Sequence, residues 1–201
     1  DIGVLTPEEI SGKGGHSGLP KAAMGVARML QEGQHQFDLL DTKSELSSYK
    51  LIILPDEIPV DDAFAGKLQA YVDNGGALIA SYRSGLSPDG AAFNLAALPV
   101  ELVGPAPCSP DFIVPKDAVG KGLKPTGHVM YMQGLEVKPK DGADVLANVE
   151  VPYFNRTWRH FCSHRHAPSS GKVGYPGIVR NERSIYFMHP IFSQYQHNAP
   201  R

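Results

Sequence analysis

The sequence predicts an α/β fold: a doubly wound, mostly parallel sheet with a proline-rich insertion and a C-terminal hairpin. Strand and helix patterns alternate over the first eighty residues. The predicted strands are almost wholly apolar, as in sheets that helices cover on both faces. Eight of the 17 prolines lie between Pro88 and Pro139, which favours irregular chain there. With 201 residues, 42% of them hydrophobic and 20% charged, the chain can bury a substantial core.

The first elements are a strand, a helix and a second strand. Residues 2–6 form an apolar strand, and residues 11–18 (SGKGGHSG) form a glycine-rich loop whose spacing fits no phosphate-binding fingerprint. Pro20 begins a helix, because its missing N–H is not needed at that position. Gly33 ends this helix, and residues 37–40 form the second strand.

The third strand, Leu51–Leu54, is apolar throughout. Asp61 is a suitable N-cap for the helix that follows. Gly75 and Gly76 end that helix, and residues 77–80 form the fourth strand.

We expect residues 88–142 to form the insertion. Short strands are predicted within it, near residues 100–104, 111–114 and 128–137. Residues 178–180 and 184–188 then form a hairpin that returns to the sheet.

The chain 1–201 is therefore expected to be one domain with its core in residues 1–90 and 143–195. Because an apolar strand follows Asp1 with no Met before it, we expect a piece of a longer protein.

Charge is distributed unevenly along the chain. Residues 1–150 contain 12 Lys/Arg against 20 Asp/Glu, whereas residues 151–201 contain seven against one and five of the eight histidines. Intramolecular charge complementarity and a basic functional surface both explain this asymmetry. Nucleic-acid binding is not expected, because no recognition motif accompanies the basic stretch. The sequence contains no run of about 18 apolar residues, so no membrane span is predicted.

The turn after the fourth strand, residues 81–85, is where many α/β enzymes carry a nucleophile. Cys108 and Cys162 are distant from it in sequence, and Tyr82 replaces the first glycine of a G-x-S-x-G motif around Ser84. We therefore predict no catalytic residue. A small amidase or esterase that uses Ser84 with His189 is the alternative.

Three more residues follow predicted strands. Asp56 and Glu57 come after the third strand, where we expect solvated turn residues. His189 comes after the last strand, and it is either a ligand residue or a buried, hydrogen-bonded histidine.

The segment from Pro152 to His166 contains the single Trp and mixes aromatic, amide, guanidinium and imidazole groups. Aromatic plates with polar neighbours bind sugars, and the same residue types favour subunit interfaces. Both interpretations stay open. The candidate ligand-binding residues are Tyr153, Asn155, Arg156, Trp158, His160, His164, His166 and His189.

A metal site is a further alternative for this segment. His160, Cys162, His164 and His166 alternate, so an extended chain would place them on one face. Their ligand types suit a transition metal, but structural zinc sites usually separate ligands by two or more residues. A metal-binding module on His160, Cys162 and His164 remains open, and no cofactor is predicted.

The first half of the chain resembles the trimerisation domain of family 42 β-galactosidases and related glycoside hydrolases. The resemblance covers about residues 2–90. It rests, in order, on Asp41, Tyr49-Lys50-Leu51, Pro55, Gly75-Gly76 and Ser84-Gly85.

This resemblance implies a flavodoxin-like, class I amidotransferase-like fold without the amidotransferase nucleophile. It also implies an upstream TIM-barrel domain that carries the catalytic carboxylates, and contacts between copies in a homo-oligomer. The expected function is a non-catalytic accessory and oligomerisation domain of a glycoside hydrolase, which can contribute to a neighbouring carbohydrate site.

Overall fold

The computed structural model describes residues 1–7 and 20–198, which form eleven strands and four helices. The strands are β1 (Ile2–Leu5), β2 (Asp38–Leu40), β3 (Leu51–Leu54), β4 (Ala77–Ser81), β5 (Val100–Pro105), β6 (Asp111–Pro115), β7 (His128–Met130), β8 (Leu135–Pro139), β9 (Asp144–Pro152), β10 (Ser169–Arg180) and β11 (Ser184–Phe187). The helices are α1 (Lys21–Glu32), α2 (Asp62–Asp73), α3 (Asp117–Gly120) and α4 (Ile191–Asn198). The predicted glycine-rich loop, residues 11–18, lies outside the described residues.

Nine of these strands form one sheet in the order β2-β1-β3-β4-β11-β10-β9-β6-β7, and β5 pairs with β8 separately. The pairings from β2 to β11 are parallel. Those from β11 to β7 are antiparallel. The predicted α/β class and the parallel strands are therefore confirmed, and the sheet as a whole is mixed.

Helices cover both faces of the parallel half of the sheet. On one face, Val26 of α1 and Phe192 of α4 belong to the same core cluster as Ile53. On the other face, Leu68 of α2 packs in the cluster that contains Leu54. Successive residues of β3 thus meet different helices, which explains why the strand is apolar throughout. No helix of the described residues is long and apolar enough to cross a membrane.

Local signals place two of the helices. The Asp61 carboxylate accepts a hydrogen bond from the Phe64 amide at 2.8 Å, so the predicted N-cap of α2 is confirmed. Helix α4 was not predicted, and it packs closely on α1. A Cβ atom on Gly25 would lie 1.9 Å from the carbonyl oxygen of Phe192, so only glycine permits this approach.

The antiparallel half is built on the two long strands β9 and β10. The predicted hairpin is confirmed as β10 and β11, with the Ser184 amide donating to the Asn181 side chain at 2.7 Å. Strand β6 pairs with β9 only as far as Glu150, whereas β10 pairs with β9 up to Pro152. Beyond Glu150, β9 and β10 therefore continue as a two-stranded arm, residues 151–172, that contains the loop 153–168.

Candidate functional site

Side chains of chemical interest gather along one edge of the sheet. The parallel strands β3, β4 and β11 end at this edge. Because β10 is antiparallel to β11, and β9 to β10, strand β9 ends at the same edge and the arm begins there. Strand β6 starts at this edge with Asp111. Open α/β sheets bind ligands where their parallel strands end, so this edge is the candidate site.

The turn after β4 has the backbone of a nucleophile elbow. Tyr82 has φ 52°, a left-handed conformation that is rare for a bulky residue and typical of such elbows. The strained position carries a tyrosine, and Ser84 lies two residues further on. The Arg83 amide, which could otherwise stabilise an oxyanion, donates to the Asp56 carbonyl at 2.7 Å.

The two serine hydroxyl groups at this turn are buried and already bonded. Ser84 is fully buried, and its Oγ accepts a hydrogen bond from the Ile58 amide at 3.1 Å. Ser81 Oγ donates to Asp56 Oδ1 at 2.7 Å. His189 bonds a different partner, Asp111. This arrangement gives no support to the alternative in which Ser84 and His189 form a hydrolase site.

Asp56 is fully buried, so its prediction as a solvated turn residue was wrong. Its Oδ2 accepts a hydrogen bond from the Ser193 amide at 2.7 Å, at the N-terminus of α4. Sequence reasoning missed this role because α4 was not predicted. Burial raises the pKa of the Asp56 carboxyl group, and the hydrogen bonds from Ser193 and Ser81 oppose that shift. Glu57 is exposed, as predicted.

His189 lies in a buried cluster with Asp111 and Tyr175. His189 Nε2 is 2.7 Å from Asp111 Oδ1, and the Tyr175 hydroxyl donates to Asp111 Oδ2 at 2.8 Å. Burial and the nearby carboxylate raise the pKa of Tyr175, so this tyrosine stays protonated. His189 has no exposed surface, which makes it a buried histidine with one bonded nitrogen. Asp111 and Tyr175 had no recognisable sequence signal.

The arm exposes three aromatic side chains. Tyr153 is 70% exposed, Trp158 82% and Phe161 71%. The Arg159 guanidinium lies over the Trp158 ring, 4.6 Å from its centroid. Exposed aromatic side chains with stacked arginines are the residue types that carry binding energy at interfaces.

Other predicted residues anchor the arm to the fold. Asn155 holds the chain before β6, since its amide donates to the Pro107 carbonyl at 2.7 Å and its Oδ1 accepts from the Ser109 amide at 3.1 Å. The His166 ring packs edge-on against Phe112 and Tyr131.

Arg156, His160 and His164 are exposed. Most of the predicted ligand residues thus lie in one loop, whereas His189 is buried and bonded to Asp111.

An extended chain, the condition under which His160, Cys162, His164 and His166 would share one face, is not formed here. The segment bends instead of extending, because Cys162 donates to the carbonyl of His166 at 3.3 Å and His166 turns inward. Throughout residues 1–7 and 20–198, no three His, Cys, Asp or Glu side chains converge as a metal site would require. The geometry gives the metal alternative no support.

Part of the chain matches a known family. Residues 28–103 match the family described as Beta-galactosidase trimerisation domain. The resemblance inferred from the motifs in residues 2–90 is therefore confirmed. No curated protein sequence matches this chain.

Solved structures extend the likeness to the whole chain. The chain is similar to alpha-L-fucosidase isoenzyme 2 from Paenibacillus thiaminolyticus, with 37% identity, a TM-score of 0.89, and coverage of 99% of this chain and 30% of that one. It shares its fold with the beta-galactosidase from Bacillus circulans sp. alkalophilus, at 16% identity, a TM-score of 0.66, and coverage of 98% and 30%. It also shares its fold with a cytoplasmic protein from Salmonella typhimurium, at 12% identity, a TM-score of 0.62, and coverage of 94% and 87%. The chain spans about 30% of the length of the fucosidase and the galactosidase.

Proposed function

We propose that this chain is a non-catalytic accessory and oligomerisation domain of a glycoside hydrolase. The match of residues 28–103 to the Beta-galactosidase trimerisation domain is the observation that carries this proposal. Since the chain spans about 30% of the fucosidase and the galactosidase, the remaining length would hold the catalytic domain. By the family resemblance, that domain is a TIM barrel with two catalytic carboxylates upstream of this one.

The amidotransferase-like ancestry belongs to the same proposal. The parallel strands follow the order β2-β1-β3-β4-β11, which corresponds to the flavodoxin-like order. The elbow at Tyr82 has no reactive side chain of the expected kind, and the Arg83 amide is already bonded to the Asp56 carbonyl. These observations support a domain that kept the sheet and lost the nucleophile. Residues 88–142 would then be an insertion into it.

The arm is the part that we expect to face a partner subunit or a sugar. Trp158 offers an exposed plate, and Arg156, His160 and His164 of the same loop offer exposed donors. A sugar ring can stack on such a plate while its hydroxyls bond the donors. In an oligomer, the arm could thereby complete a carbohydrate site of a neighbouring domain or subunit.

The parent enzyme has two candidate activities. The family match favours a β-galactosidase. The 37% identity over 99% of the chain favours an α-L-fucosidase, because similarity at that level extends beyond the fold.

Light scattering after size exclusion tests the proposal directly. We expect the chain to form oligomers and to leave 4-nitrophenyl β-galactoside and α-fucoside intact, while the full-length protein hydrolyses one of them. Hydrolysis of either glycoside by the chain alone would contradict the non-catalytic role. A chain that stays monomeric at all concentrations would contradict the oligomerisation role.

A further inference from the structure

The arm carries unpaired positive charge. Arg156, Arg159 and Arg165 lie in its loop, and the sequence has no carboxylate between Glu150 and Glu182. None of these three arginines forms an ion pair with a described residue. A partner that binds the arm would therefore gain by presenting carboxylates next to exposed aromatic rings.

A groove that combines carboxylates with apolar side chains lies at the same edge of the sheet as the arm. A cavity of about 500 Å³ is lined by the turns after β3 and β4 and by β5, and its walls include Leu86, Leu102 and Leu135. Glu57 and Asp89 add carboxylates to these apolar walls, and we name this cavity the Glu57 groove.

The charges of the groove are available to a partner. Within the described residues the Glu57 carboxylate is exposed and has no hydrogen-bond or ion-pair partner. Hydrogen bonds from the Ser87 hydroxyl and the Ala91 amide hold the pKa of Asp89 below its usual range, so Asp89 is ionised. Arg83 also lines the groove, and its guanidinium lies over the Tyr82 ring, so two carboxylates face one cation.

A ring of three copies requires two different surfaces on each copy. The contacts in such a ring are heterologous: one patch of each copy meets a second, complementary patch of the next. The arm and the Glu57 groove form such a pair, since one presents arginines with aromatic rings and the other carboxylates with leucines. Both lie at the edge where the parallel strands end, so each copy presents the two surfaces on the same side.

We propose that the arm of one copy binds in the Glu57 groove of the next copy, with Arg159 facing Glu57 and Asp89 and with Trp158 on the apolar wall. This inference rests on the proposed oligomerisation role and names the two surfaces that meet; of the two roles proposed for the arm it takes the subunit contact, since the Trp158 ring cannot cover a sugar and the groove wall at once. The occupant is a second copy because the chain itself carries both halves of the complementary pair.

Charge reversal on each surface, followed by reversal on both, tests the contact. We expect Arg159→Glu and Glu57→Arg each to weaken association at least tenfold in a light-scattering concentration series. The double variant reverses both charges together, so association should return to within about threefold of the wild type. Lys121→Glu and Asp141→Arg make the same charge changes at exposed positions outside both surfaces, and they should leave association unchanged. Circular dichroism confirms that each variant is folded.

The outcomes separate this inference from the proposed function. An oligomeric wild type that neither single reversal affects would overturn the arm–groove contact and leave the oligomerisation role intact. Loss of association in Arg159→Glu without loss in Glu57→Arg, or no recovery in the double variant, would show that the arm binds something other than the groove. A monomeric wild type would overturn the oligomerisation role itself.

Discussion

Two groups of polar side chains share one edge of the sheet and differ in how fully they are bonded. Asp56, Ser84 and Asp111 are at most 1% exposed, and each makes hydrogen bonds at or below 3.1 Å. On the arm, Trp158 is 82% exposed, and the arginines have no ion-pair partner among the described residues. Polar groups in a core must be bonded, whereas polar groups kept for a partner must be left free. We therefore expect the bonded group to serve stability, and the arm to serve the recognition proposed for it.

The largest effect should come from Asp111→Ala. This change leaves His189 Nε2 and the Tyr175 hydroxyl buried without their acceptor. Each buried donor left without its acceptor costs about 1–3 kcal/mol, so we expect the free energy of unfolding in urea to fall by roughly 2–6 kcal/mol. Asp144→Ala is the matched control, because its ion pair with Arg180 is exposed and should be worth less than about 1 kcal/mol. Equal effects of the two changes would remove the distinction between the buried and exposed groups.

Ser84→Ala should have an intermediate effect. The substitution leaves the buried Ile58 amide without its acceptor, which costs about 1–3 kcal/mol. We expect lower stability in chemical denaturation and no change in 4-nitrophenyl ester hydrolysis. An esterase activity that disappears with this substitution would instead place Ser84 in a catalytic site.

Asp56→Asn should change how stability depends on pH. Burial raises the pKa of Asp56 in the folded state above its ordinary 3.8, so the folded protein binds this proton more tightly than the unfolded chain. The stabilisation from this group is complete below pH 3.8 and is lost as the pH rises through the folded-state pKa. Each unit between the two pKa values corresponds to about 1.4 kcal/mol. We expect the wild type, but not Asp56→Asn, to show this loss in urea titrations between pH 3 and 7; identical pH profiles would contradict the assignment.

Trp158→Ala should have the smallest effect on stability. A side chain with 82% of its surface exposed contributes little to the core, so the free energy of unfolding should change by less than about 0.5 kcal/mol. Association measured by light scattering should weaken at least tenfold, because the variant loses an anchor of the arm. A large loss of stability without a change in association would show that Trp158 stabilises the fold and does not bind a partner.

The sequence predicted the parallel half well because its signals are local. The apolar run Leu51–Leu54, the cap at Asp61 and the glycines after α2 each specify their element without reference to distant residues. The hairpin of β10 and β11 was also predictable from its short turn. Strand β9 was missed although Val145, Ala147, Val149 and Val151 alternate with other residues, as a strand pattern requires.

The buried polar group could not be predicted in the same way. Asp111 meets His189 across 78 positions of sequence, and Asp56 meets Ser193 across 137. Such contacts depend on the order of the strands, which composition and spacing do not determine. The sequence pointed to the arm because its aromatic and basic residues lie close together in the chain. The bends of the arm were not predicted, because they arise from the inward packing of His166 on Phe112 and Tyr131.

The hydrogen bond between the Arg83 amide and the Asp56 carbonyl bears on any attempt to restore chemistry to this fold. A thiol installed at position 82 would have the backbone shape of an elbow, but no free donor beside it for a tetrahedral intermediate. To free the Arg83 amide, the peptide group after Asp56 would have to rotate. Asp56 also accepts a hydrogen bond at the N-terminus of α4, so that helix would be disturbed. Reversion to catalysis would thus need coordinated changes in two loops, so a single replacement at Tyr82 should yield a folded, inert protein.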